Sequence, residues 1–270
     1  MDQTGEHYVF HGGTDGRHRL AVLARVMRPT TAELFERLGV GSGWHCLDVG
    51  CGGGDVTQEL ARLAHPAMVV GTDIDEPQLL IARQEAGAAE IENIDYRHVD
   101  AVAIADAVAG EFDLVYARFL LTHLPAPEAA VAELSASARV GGIVAVEDID
   151  VDGYFWYPPS PALDRYLEWY ARAHRARGGD PTIGRRLPAL LHDAGLTDVG
   201  MRVVQPIGTT GDIKQIAPLT LAASAEAIRV NGIASDAEIG RLQADLQAFS
   251  GDPTTLVSMP RVVQAWGLRG

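Results

Sequence analysis

The sequence predicts an α/β fold built on a mostly parallel sheet, and two observations carry that prediction. Apolar runs of strand length alternate with segments of helical period through the first 150 residues or so. The first of those runs passes into Gly50-Cys51-Gly52-Gly53-Gly54 before a helical segment begins.

In chain order, Thr30 with Glu33 reads as a capping box, and Leu34, Phe35 and Leu38 form one apolar face before Gly39, so a helix precedes the first strand. That strand is Trp44 to Val49, and Val56, Leu60, Leu63 and Ala64 line one side of the helix beyond the glycines. Ala67 to Thr72 is a second strand ending at Asp73, after which Asp75 and Gln78 cap a helix to about Ala86. About Asp95 to Val99, Phe112 to Tyr116 and Ile143 to Val146 are the third to fifth strands, with a helix from Pro127 to about Arg139 before the Gly141-Gly142 turn. Ser160-Pro161 opens an amphipathic helix carrying Leu163, Tyr166, Leu167 and Tyr170 on one face. Arg186 to Ala194 is a helix closed by Gly195, Asp198 to Pro206 alternates as a strand, and Ile213 to Val230 and Ala237 to Phe249 are helical. Leu256 to Trp266 is strand-like. No repeat or low-complexity tether divides the chain, so one domain with helical insertions is expected.

Composition narrows the partners. The 270 residues include 36 acidic and 22 basic side chains, a formal charge of −14, with a pI near 5.0. Such a chain starts from repulsion toward phosphate backbones, which excludes nucleic acid as a first expectation. Hydrophobic residues make up 47% and charged residues 21%, the range of an ordered globular protein. The first residues have no basic leader or apolar stretch, and no apolar run approaches the ~20 residues of a spanning helix. A soluble, cytoplasmic protein without a membrane partner is expected. Cys46 and Cys51 are read as free thiols, since no His or Cys sits nearby at metal-ligand spacing.

The chemistry concentrates around the glycine turn. Gly50, Gly52 and Gly54 allow positive φ and leave bare backbone against which a ligand can lie. Asp73 ends the second strand 19 positions beyond Gly54, where a carboxylate can hold both hydroxyls of a ribose. An NAD-binding domain offers the same two features, but its fingerprint is Gly-x-Gly-x-x-Gly, and the turn here is Gly-x-Gly-x-Gly with Asp48 two residues ahead. Asp100-Ala101 follows the third strand, and Ala117-Arg118-Phe119-Leu120-Leu121-Thr122-His123-Leu124 follows Tyr116.

Together these motifs resemble the class I S-adenosylmethionine-dependent methyltransferases, motif by motif over residues 44 to 148 and more loosely elsewhere. The resemblance implies a Rossmann-like seven-stranded sheet, mostly parallel with an antiparallel last strand, plus N-terminal helices and helical lid insertions. It implies S-adenosylmethionine as cofactor and S-adenosylhomocysteine as product. Asp48, Gly50, Gly52 and Gly54 map to the turn against the methionine part, Asp73 to the ribose ligand with Ile74 beside the adenine, and Asp100 with Ala101 to the adenine amine. Arg139-Val140-Gly141-Gly142 is similar to the family's Pro-Gly-Gly turn, with Val140 in place of the proline. Tyr8-Val9-Phe10-His11-Gly12, Arg19-Leu20 and Arg28-Pro29 are similar to the leading segment of small-molecule methyltransferases, and Tyr8 maps near the methionine end. Gly184 to Leu196 matches an element of the same subgroup.

The expected organisation is an N-terminal helical cap over 1–43, a cofactor core over 44–148, an insertion and helix over 149–196, and a terminal hairpin over 197–270 with a lid at about 212–250. The ~50 residues between the hairpin strands are long for a connection, which predicts a helical lid over the site.

Each assignment has a structural alternative: Asp73 as a helix cap, Asp48 as a turn brace, Asp100 as a solvated loop acid, Tyr8 as hydrophobic closure and Arg118 as a surface ion pair rather than a contact of the cofactor carboxylate or of an acidic substrate. For proton chemistry the candidate is His123, at the carboxyl edge of the sheet with an imidazole that ordinarily titrates near pH 6.5. Glu147 and Asp148, with Asp150, are expected at the end of the fifth strand, either as substrate-orienting or basic groups or as an acidic rim. Trp156 and Tyr157 form an aromatic wall or pack the lid. No metal is expected, because Tyr116-Ala117-Arg118 offers no acid for a divalent site. The expected function is methyl transfer to a small molecule of specialised metabolism, at carbon, nitrogen or oxygen, by a chain that either acts alone or dimerises. The alternatives are a non-catalytic binding module and an NAD-dependent oxidoreductase. An acidic mouth is expected to favour neutral or basic acceptors.

Overall fold

The computed structural model describes residues 13–108 and 112–270. Among the described residues the strands fall in chain order as β1 (Cys46–Val49), β2 (Val69–Asp73), β3 (Ile94–His98), β4 (Phe112–Arg118), β5 (Ala138–Asp150), β6 (Trp156–Tyr157), β7 (Leu196–Val204), β8 (Ile207–Gly208), β9 (Leu256–Ser258) and β10 (Arg261–Arg269). The helices are α1 (Gly13–Leu38), α2 (Asp55–Ala64), α3 (Glu76–Ala88), α4 (Ile104–Ala107), α5 (Pro127–Ser137), α6 (Pro161–Ala176), α7 (Leu187–Asp193), α8 (Ile216–Val230) and α9 (Asp236–Gly251).

Seven strands form one sheet in the order β3-β2-β1-β4-β5-β10-β7. β1 pairs in parallel with β2 and β4, and only β10 runs against its neighbours. The predicted fold class is therefore present. Chain order reverses at β1, so a crevice opens beyond the carboxyl ends of β1 and β4, the usual ligand position in open α/β sheets.

Helices cover both faces because the strands are apolar on both. Leu34 and Phe35 of α1 and Leu60 of α2 pack with Cys46, Leu114 and Tyr116 on one face. Val131 and Leu134 of α5 and Leu187 and Leu191 of α7 pack with Leu47, Val115 and Val144 on the other. A further core joins the first half of α1 (Val22, Met27) to α6, α8 and α9 through Leu163, Tyr166, Leu221 and Leu242. Of these elements, α1, α6 and α8 border the crevice.

Three sequence expectations are corrected here. Helix α1 runs unbroken through Pro29, so Thr30 does not cap a helix start. Its Oγ1 donates instead to the Met27 carbonyl at 2.9 Å. Pro29 removes one helical hydrogen bond and crowds the preceding turn; anchorage at both ends keeps the helix whole. Second, Leu63 is 40% exposed rather than on the apolar face of α2. Third, Leu256 to Trp266 is two strands, divided at Met259-Pro260, and β9 joins β6 and β8 in a small separate sheet. Elsewhere the local chemistry behaves as read: Asp75 accepts from Gln78 N at the start of α3, and Ser160 from Leu163 N at the start of α6. Gly184 sits where a Cβ would lie 2.8 Å from both the Asp148 and Ile149 carbonyl oxygens, which lets the turn before α7 touch β5.

Candidate active site

Among the described residues, two cavities open into the crevice. One, of about 120 Å³, is bounded by the glycine turn, by Arg19 and Leu20 of α1, by Tyr154, and by Tyr166 of α6 and Thr220 of α8. The other, of about 330 Å³, is bounded by Asp73, Ile74, Asp100, Ala101 and the apolar side chains of Leu120 and Leu124. Gly50, Phe119 and His123 line both, and so form the waist between them. Phe119 has φ +54°, a region a bulky side chain rarely occupies and one where held strain often accompanies a functional site. Its amide donates to the Glu147 carbonyl at 2.8 Å, and its ring lies 5.7 Å from the Arg118 guanidinium.

The glycine turn is built for close approach. Gly50 has φ +70°, and a Cβ there would come within 3.0 Å of Leu120. Gly52 donates its amide to Asp73 Oδ2 at 2.7 Å, while Asp75 N donates to Oδ1 at 2.9 Å. Asp73 thus fixes the turn, and burial raises its pKa although both amides oppose the shift. A carboxylate has about four acceptor positions, so two remain for a bound diol. Asp100 accepts from Val102 N through Oδ1 at 3.1 Å. Asp48 lies buried in the wall of the first cavity, accepting from Thr57 Oγ1 at 2.6 Å, and burial pushes its carboxyl up to about 6. Arg118 lines the same cavity and donates to Thr31 Oγ1 at 3.1 Å.

Gly54 is the exception among the expected turn residues. It borders neither cavity; a Cβ there would lie 2.2 Å from Tyr96 Oη, so its absent side chain serves packing. Tyr8 lies outside the described residues.

Two of the three expected proton-transfer residues are displaced from the site. Strand β5 does not stop at Val146 but continues to Asp150, which buries Glu147 and Asp148 completely and Asp150 almost so. Neither Glu147 nor Asp148 lines a cavity. Thr31 Oγ1 and Gln264 Nε2 donate to Glu147 at 2.9 and 2.7 Å, and Tyr116 Oη donates to it as well, so its lone pairs are engaged within the fold. Asp148 accepts from Thr122 N at 3.0 Å and Ile149 N at 2.8 Å, tethering the loop that carries His123; burial pushes this carboxyl up to about 7. Asp150 is paired with Arg185 and Arg261. The expected acidic mouth is therefore largely interior, and the first cavity carries Asp48 and Asp55 against Arg19 and Arg118.

His123 is at the waist, buried, with its ring 5.0 Å from that of His174. Burial, then the neighbouring His174 and Arg19, hold its pKa well below the ordinary imidazole value, so the ring is neutral at pH 7 and a weak proton acceptor. His174, whose Nδ1 meets the Tyr170 carbonyl at 3.0 Å, is likewise held down to about 4, chiefly by burial. An unfolded histidine takes a proton near pH 6.5 that folded His174 refuses until about pH 4, so stability falls as pH drops through that window. The loss from His174 by pH 5 is about 2 kcal/mol. His174→Gln is expected to lose that much less stability than the parent between pH 7 and pH 5 in denaturant titrations; equal losses would contradict the assignment.

Sequence reasoning missed Arg17 and Tyr154. Arg17 bridges Asp55 at 2.8 Å and Glu85 at 2.5 Å, clamping α1 to α2 and α3 across Gly53, whose missing Cβ leaves room for its guanidinium. Its only signal was membership of the basic run Arg17-His18-Arg19, insufficient without the distant acids.

The methyltransferase domain family matches residues 47–146, from β1 to the middle of β5. This stretch is a methyltransferase domain of the class I, S-adenosylmethionine-dependent type. Among curated relatives, a ubiquinone biosynthesis O-methyltransferase of Acinetobacter baumannii (strain ACICU) is 36% identical over 109 residues, 40% of this chain and 45% of that protein. The chain thus spans less than half the length of the curated relatives it matches. Solved structures share the fold over a longer stretch. Geranyl diphosphate C-methyltransferase from Streptomyces coelicolor A3(2) is 13% identical with a TM-score of 0.55, covering 96% of this chain and 85% of that one. The [4+2]-cyclase SpnF is 20% identical with a TM-score of 0.54, covering 90% and 81%. A methyltransferase domain therefore sits inside a fold that also houses other chemistry.

Proposed function

We propose that this chain transfers a methyl group from S-adenosylmethionine to a small molecule bound in the first cavity. The observation that carries the reading is the pair of cavities sharing one waist at Gly50, Phe119 and His123. The residues fit the cofactor: Asp73 retains acceptor positions for the ribose hydroxyls, and Asp100 with Ala101 faces the adenine space between apolar walls. Asp48 and Arg118 offer one charge of each sign to the amino-acid end. An NAD pyrophosphate would meet Asp48 and Asp55 beside the glycine turn, which disfavours the oxidoreductase reading.

S-adenosylmethionine supplies an electrophilic methyl group on a sulfonium centre. The chain supplies orientation and exclusion of water, which account for much of the acceleration in displacement reactions of this kind. Neutral His123 stands at the waist as a polar positioning group, and general-base assistance is not required of it when the acceptor is itself a good nucleophile.

A cytoplasmic enzyme of specialised metabolism is the setting this reading implies. Among the described residues no helix is long and apolar enough to cross a membrane, and the charge of −14 opposes nucleic acid as substrate. A panel of phenols, amines and stabilised enolates is expected to include acceptors that yield S-adenosylhomocysteine, with turnover retained in EDTA. Tight cofactor binding with no product from any acceptor would favour a binding module or a different reaction, and EDTA sensitivity would overturn the metal-free mechanism.

A further inference from the structure

Within the first cavity the wall farthest from the glycine turn in sequence is supplied by the segment after β5, by α6 and α8, and by Met259, and it is apolar apart from a few hydroxyls. Val151, Leu167, Tyr170, Ile216 and Met259 contribute carbon surface. Tyr166 and Thr220 bring hydroxyls to the same wall. Tyr154 differs. It lines the cavity with 8% of its surface exposed, and its buried Oη has no hydrogen-bond partner among the described residues. Its ring is held between Trp156 at 5.8 Å and Tyr166 at 6.4 Å, so the hydroxyl is carried on a rigid mount. A buried hydroxyl left unpaired is costly, and a ligand that meets it recovers the loss. Burial also holds the phenol in its protonated form, which makes it a hydrogen-bond donor.

Resting on the methyltransferase reading above, we propose that Tyr154 is a specificity-determining residue of the acceptor site, donating a hydrogen bond to an oxygen on an otherwise apolar, ring-sized acceptor. The recognised chemistry is a carbonyl or carboxylate oxygen on a hydrocarbon body. A site built to pair one oxygen discriminates against the analogue lacking it, because the buried donor is then left unmet.

Three naphthalene probes separate the possibilities: 2-acetylnaphthalene, 2-naphthoate and 2-ethylnaphthalene, titrated by calorimetry into the full chain saturated with S-adenosylhomocysteine. At least one oxygen-bearing probe is expected to bind about fivefold or more tighter than 2-ethylnaphthalene, with the acetyl and carboxylate arms distinguishing a neutral from an anionic acceptor. Tyr154→Phe is expected to abolish that preference while leaving 2-ethylnaphthalene and S-adenosylhomocysteine affinities within about twofold. Its melting temperature should be unchanged or higher, since no partner inside the fold is lost. Equal binding of all three probes, no probe binding at all, or a preference that survives Tyr154→Phe would overturn the inference while leaving the methyltransferase reading intact. Failure of the parent chain to bind S-adenosylhomocysteine would overturn that reading instead.

Discussion

Asp73→Ala is expected to weaken S-adenosylhomocysteine binding about a hundredfold. In the proposed function the carboxylate accepts from two ribose hydroxyls, and each hydrogen bond to a charged group is worth about 1.5–3 kcal/mol. The substitution also releases the Gly52 and Asp75 amides that Asp73 holds at 2.7 and 2.9 Å, so the glycine turn loses its brace. Asp73→Asn, which keeps one acceptor oxygen, is expected to lose about tenfold. Calorimetry measures both, with thermal unfolding as the control for the turn. Unaltered affinity in Asp73→Ala would remove the ribose assignment and leave Asp73 a brace of the glycine turn.

The second large effect is on stability. Glu147→Ala is expected to destabilise the fold by about 3–5 kcal/mol, roughly 10 °C in melting temperature, because three buried donors from Thr31, Tyr116 and Gln264 lose their common acceptor. These groups lie on α1, β4 and β10, so the carboxylate joins the helix over the glycine turn to the centre of the sheet. In conditions where the variant stays folded, its S-adenosylhomocysteine affinity is expected to stay within about threefold of the parent. A variant that melts like the parent and has lost turnover would restore Glu147 as a catalytic residue.

Local signals in the chain were legible and remote ones were not. The parallel core was legible because each β-α unit announces itself locally, by an apolar run, a capping residue such as Asp75 and a glycine turn. Asp73, Ile74, Asp100, Ala101, Gly50 and Gly52 were legible as cavity residues because a strand end fixes their place at the sheet edge. Glu147 and Asp148 were misplaced because their partners are remote. An acidic pair after Val146 reads as a strand end, yet Thr31 and Gln264, more than a hundred residues away, satisfy Glu147 and let the strand continue. Pro29-Thr30 reads as a helix start for the same reason: the contacts that carry α1 past the proline come from α6, α8 and α9 and from the sheet. The small sheet of β6, β8 and β9 was invisible, since two- and three-residue strands have no period. Tyr154 escaped notice because an unpaired hydroxyl is a property of the assembled cavity rather than of any local pattern.

A crystal structure of the chain with S-adenosylhomocysteine tests the two-cavity account most directly. Adenosine is expected in the larger cavity, its ribose on Asp73 and its adenine beside Asp100, with the sulfur at the waist of Gly50, Phe119 and His123 facing the cavity that Tyr154 lines. Adenosine bound against Tyr154 and Tyr166, or a sulfur turned away from the waist, would contradict it.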